Sequence, residues 1–179
     1  MRLAIFLLAL LLPAAAWAAP PSPLDALFAQ LRAAGTPEDA KPIEEQILAH
    51  FRQSGSPSID LLMARAAAAQ GAGDRDTARQ LLDAVTNIAA NYAEGWHRRA
   101  LLQAETGDDE GAMVSLQKTI ALNPRQFEAM EQLGEMLEAY GDKEGALRMY
   151  RRALALNPQF EGLQRHVDAL SRAVEGQGI

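Results

Sequence analysis

The sequence predicts an all-α chain: an α–α superhelix of antiparallel helix pairs, with an N-terminal helical hairpin before it and a capping helix after it. Three observations predict it. Residues 93–126, moved forward by 34 positions, fall on residues 127–160 with their landmarks aligned: Gly107-Asp108 on Gly141-Asp142, Ala112 on Ala146, and Leu122-Asn123-Pro124 on Leu156-Asn157-Pro158. A repeat of this period marks a stack of helical hairpins. Apolar residues recur at helical spacing along the chain, and no segment of useful length alternates with a strand's period. Helix punctuation is equally regular. Gly-Asp stands at 73–74, 107–108 and 141–142, where Gly closes one helix in the left-handed region and Asp caps the next.

The first segment is distinct. Arg2 precedes an apolar run from Leu3 to Leu12, and Ala16-Trp17-Ala18 puts small residues where a signal peptidase reads. Residues 1–18 therefore read as a secretory signal peptide. The run is short of the roughly 20 residues of a comfortable membrane span, and the alternative is an uncleaved N-terminal anchor. Residues 19–23, Ala-Pro-Pro-Ser-Pro, read as an extended linker. Leu24, Leu27, Phe28 and Leu31 then form one helical stripe, and Ile43, Ile47, Leu48 and Phe51 a second. The second helix starts either at Thr36-Pro37, with Pro42 interrupting its ladder, or near Lys41 with Pro42 in its first turn. Residues 24–58 are an N-terminal hairpin or a degenerate repeat, since counting back 34 from Ala78 meets Glu44 rather than a small residue.

Three repeats follow at 59–92, 93–126 and 127–160. Their second helices carry a small residue, Ala78, Ala112 and Ala146, where two backbones approach closely. A bulky one stands four positions later: Leu82, Leu116 and Tyr150. Asn123-Pro124 and Asn157-Pro158 stop two of these helices, while the first repeat has Ala90 in place of proline. Residues 161–174 read as a capping helix with Val167 and Leu170 inward, and 175–179 as a tail.

Together these residues resemble the tetratricopeptide repeat (TPR) family. In the third repeat Leu133-Gly134, Leu137, Ala146, Tyr150, Ala153 and Pro158 match its pattern, and in the second Trp96, Ala100, Ala112, Leu116 and Pro124 do. The first repeat matches more weakly, through Leu62, Ala66, Ala69, Ala78, Leu82 and Val85. The resemblance spans about 59–174. It implies a superhelix that presents the first helix of each pair on a concave face to a protein or peptide. It also makes Trp96 a packing residue.

Composition narrows the function. The formal net charge is −6, which repels nucleic acid and anionic lipid. There is no cysteine, so disulfides and thiol chemistry are excluded. With its leader, and with only Lys41, Lys118 and Lys143 as lysines, the chain resembles an exported, periplasmic protein of a Gram-negative bacterium. No catalytic residue, metal site or cofactor is expected. His50, His97 and His166 read as solvated or packing side chains, with His166 counted beside Gln132 and Arg98.

The candidate partner-binding residues lie on the first helices. Glu128, Glu131, Glu135 and Glu138 share one face of the third repeat's first helix. Offsets of 34 place His97 and Arg165 beside Glu131 and Arg172 beside Glu138, which would neutralise part of that strip and leave Glu128 and Glu135 for a ligand. Met63 and Leu101 are the apolar candidates, and Arg98 joins Glu128 and Glu135 in specificity. The expected function is a non-enzymatic interaction module of the cell envelope. The alternative is a structural subunit docking through its terminal helices.

Overall fold

The computed structural model describes residues 22–176. Among them are nine α-helices and no strand: α1 (Pro23–Ala33), α2 (Pro37–Phe51), α3 (Pro57–Gly71), α4 (Arg75–Ile88), α5 (Ala93–Glu105), α6 (Asp109–Leu122), α7 (Phe127–Ala139), α8 (Lys143–Leu156) and α9 (Leu163–Glu175). The leader, residues 19–21 of the linker and residues 177–179 of the tail lie outside the described residues.

The punctuation acts as its chemistry dictates. Gly73, Gly107 and Gly141 have φ of +78°, +82° and +86°. Asp74, Asp108 and Asp142 cap α4, α6 and α8 by accepting from the backbone N–H of Thr77, Gly111 and Gly145. Asn123 and Asn157 end α6 and α8, and their Oδ1 atoms accept from the N–H two residues on, at Arg125 and Gln159.

Several boundaries differ from expectation. The linker ends early, because Ser22 and Asp25 form a reciprocal capping box that starts α1 at Pro23. Of the two starts open for α2, Thr36-Pro37 is used: Thr36 caps the helix by accepting from Asp39, and Pro42 sits inside it. Helix α3 begins at Pro57, before the repeat boundary expected at 59. The last helix begins at Leu163 rather than 161, because Gly162 at φ +76° turns the chain first, and Glu175 belongs to the helix rather than the tail.

Packing follows the repeat. Ala78, Ala112 and Ala146 are fully buried, which lets paired helices approach closely. In the third repeat the approach is close: a Cβ on Gly134 would lie 2.5 Å from the Tyr150 ring. Trp96 departs from its packing role. It is only half-buried, its Nε1–H donates to the Ala90 carbonyl (3.0 Å), and the Arg99 guanidinium lies 5.5 Å from its ring centre. It thus ties down the turn that lacks proline.

The N-terminal hairpin does not stack ahead of the first repeat. Helices α2 and α3 are consecutive but hardly touch, and α1 reaches α8 instead. Phe28 meets Phe127 edge-on (6.5 Å between ring centres), and Phe127 meets Phe160 (5.7 Å). Asn157 donates to Glu44 (2.6 Å), Gln159 to the Ala34 carbonyl (3.1 Å), Arg125 to Asp25 (2.6 Å), and the Tyr92 hydroxyl to the Arg52 carbonyl (2.7 Å). The hairpin therefore runs along the edge formed by three successive inter-repeat turns. Its Phe28, Leu31, Ala40 and Ile47 belong to the main core with α5–α9, while Ala66, Ala78, Leu82 and Leu102 form a smaller, separate cluster. Glu44, where the repeat count would put a small residue, instead accepts from Asn157.

Candidate functional site

Successive first helices lie side by side. Gln70 of α3 donates to Glu105 of α5 (2.8 Å), His97 of α5 meets Gln132 of α7 (2.8 Å), and His166 of α9 meets Glu138 of α7 (2.7 Å). Two cavities open between these helices. One, of about 280 Å³, lies between α3 and α5 and is lined by Arg52, Met63, Ala67, Tyr92, Glu94 and Arg98 among others. The other, of about 430 Å³, lies between α7 and α9 and includes Glu131, Glu135, Glu138, Tyr150 and His166. A larger recess beside the Gly73 turn is lined by charges already engaged, such as Arg79 with Asp76 and Arg99 with Asp83.

The expected residues are thus divided. Met63 and Arg98 line the first cavity, and Glu131, Glu135 and Glu138 the second. Glu128 and Leu101 are half-buried and line neither. Arg52, Tyr92 and Glu94 were not anticipated. The Glu94–Arg98 pair was legible as an i,i+4 spacing. Arg52 carried no signal, because only the hairpin's fold-back brings it there.

The electrostatics correct the pairing expected from the repeat count. Glu131 has no ion pair among the described residues, and neither Arg165 nor Arg172 engages the strip. Glu138 instead accepts from the Tyr150 hydroxyl (3.1 Å) and faces His166. His166 is not beside Gln132 or Arg98, and its ring meets Tyr150 edge-on. The repeat count does not carry through to α9: His97 and Gln132 are 35 positions apart, His166 and Glu138 only 28.

Unpaired, Glu131 is pushed up to about 7, first by burial and then by the charges of Glu135 and Glu128. Burial likewise raises Glu128 above the ordinary carboxylate range. Glu94 goes the other way: burial opposes its charge, but His97 and Arg98 outweigh it and hold its pKa below the usual value. His97 itself is buried in a polar knot with Glu94, Gln126 and Gln132. Among the described residues, no three His, Asp or Glu converge as a metal-ligand set, and no helix is long and apolar enough to cross a membrane.

Residues 127–160 match the family model for the tetratricopeptide repeat. A TPR repeat-containing protein of Rhizobium etli is 32% identical over 118 residues, covering 66% of this chain; the chain spans 58% of that relative's length. The Thermobaculum terrenum O-GlcNAc transferase superposes with a TM-score of 0.55 at 27% identity over 64% of this chain, but over only 22% of the transferase. The Yersinia enterocolitica type III secretion chaperone SycD, solved with a peptide of the translocator YopD, superposes with a TM-score of 0.59 at 16% identity, over 69% of this chain and 97% of the chaperone. The chain thus carries a segment that matches the tetratricopeptide repeat and adopts the all-α superhelical fold of such repeats.

Proposed function

We propose that this chain is a non-enzymatic interaction module that holds an extended segment of a partner protein along the concave face of α3, α5, α7 and α9. One observation carries the reading. Two cavities open between successive first helices, and each is rimmed by charge with no ion partner among the described residues: Arg52 at one, Glu131 and Glu135 at the other. The chaperone SycD, which shares the fold, binds a peptide of its translocator, and that use of the fold supports the same use here. With residues 1–18 read as a cleaved leader, the module works in the periplasm. The alternative, docking through terminal helices, is less favoured, since the apolar stripes of α1 and α9 are already buried within the chain through Phe28, Leu31, Leu163, Val167 and Leu170.

The test is capture of partners from envelope extract by the mature chain and by its Glu128→Lys/Glu135→Lys variant. Loss of the captured partner with unchanged helicity is expected. Unchanged capture discards the first-helix face as the binding surface.

A further inference from the structure

We infer that the cavity between α3 and α5 reads a side-chain carboxylate next to an apolar residue in an extended peptide, and that the folded-back hairpin completes it by supplying Arg52. This rests on the peptide-holding reading above and specifies one end of it. The cavity has an apolar lining of Met63, Ala64, Ala66, Ala67 and Leu82, of which Ala66 and Leu82 are buried. Its rim carries two guanidinium groups. Arg98 is held by Nε, which donates to Glu94 Oε1 at 2.7 Å, while its side chain stays 41% exposed. That bond fixes the guanidinium plane and leaves its terminal amino groups to a ligand, the geometry that suits a carboxylate.

Arg52, the C-cap of α2, lines the same cavity and has no ion pair among the described residues. Its position is built. The Tyr92 hydroxyl holds its carbonyl, and Asn157 holds Glu44 further along the same helix. The hairpin seats on the third repeat and delivers a cation to the first. Glu128 is the next carboxylate to sense both arginines and bonds neither, so it opposes an incoming anion. The acidic cavity lies two helix spacings away, roughly 20 Å at 8–10 Å each, or about six residues of extended chain. The fitting segment therefore has its acidic residue about six positions from a basic one.

The probe is a fluorescein-labelled peptide, acetylated and amidated so that only side chains are charged, with Leu-Asp near one end and Arg six positions away. Its counterpart has Asn for Asp. Fluorescence anisotropy with the mature chain should show roughly tenfold tighter binding of the Asp peptide at low salt. Arg52→Gln should erase that preference, and Glu128→Gln should enlarge it. Equal affinity for the two peptides overturns the proposal. So does a preference that survives Arg52→Gln, or binding that appears only when the peptide's C-terminus is left free. Failure here, with partner capture still lost in the Glu128→Lys/Glu135→Lys variant, removes the carboxylate pocket and leaves the interaction module standing.

Discussion

Helices α1–α2 and α7–α8 are both antiparallel pairs of ordinary length, yet they solve burial differently. The α7–α8 pair nests backbone against backbone, with Gly134 under the Tyr150 ring and Ala146 fully buried. It hands its faces to neighbours on both sides, α6 and α9. The hairpin has Glu44 where that nesting would need a small side chain, and it does not stack on α3. Its aromatic Phe28 instead seats on Phe127 across the turn edge. Small residues at helix crossings specify stacking in sequence order. Aromatic contacts joined by polar ties permit attachment far along the chain.

Four measurements break or sharpen that contrast. Tyr150→Ala should cost about 3–5 kcal/mol in urea unfolding, since its ring is buried and fills the space over Gly134. A near-neutral result would mean the third repeat is not the tight crossing described. Phe28→Ala should cost about 3 kcal/mol, but locally. Hydrogen exchange should rise across α1–α2 while α7–α8 stays protected, and equal loss of protection in both would show that the hairpin is no separable brace. Ala146→Leu should destabilise by about 1–3 kcal/mol through overpacking. The same change at exposed Ala49 should stay within about 0.5 kcal/mol.

The smallest effect is electrostatic. Glu131 has a pKa of about 7 in the folded chain against 4.5 ordinarily. The folded state therefore binds more protons across that window, and the stabilisation present below pH 4.5 is lost as pH rises through about 7. Glu131→Gln should flatten the fall of the urea midpoint between pH 5 and pH 8. An unchanged slope would move the origin of the pH dependence away from the α7 strip. Glu94, held down by His97 and Arg98, acts in the opposite sense, and its contribution is lost as pH falls.

The candidate site was only partly legible beforehand. Met63, Arg98 and the four glutamates of α7 could be placed on first-helix faces because their spacing is intrinsic to a helix. Which of them are paired could not be read from the repeat count, since α9 packs against α7 out of the 34-residue register and brings His166, rather than Arg172, to Glu138. Arg52 was out of reach for a related reason: nothing near it in the chain tells where α2 will lie.

By itself the sequence determined the helix pairs, their caps and the crossings at Ala78, Ala112 and Ala146. These rest on interactions within a few residues or between consecutive helices, where side-chain size and backbone conformation act directly. Tertiary structure alone decided that the hairpin folds back over the third repeat, that Glu131 has no ion pair among the described residues, and that Arg52 and Arg98 line one cavity. Those outcomes depend on apolar burial and hydrogen bonds between segments up to 125 positions apart, as in Ala34 and Gln159, and such contacts leave no period in the chain to be read.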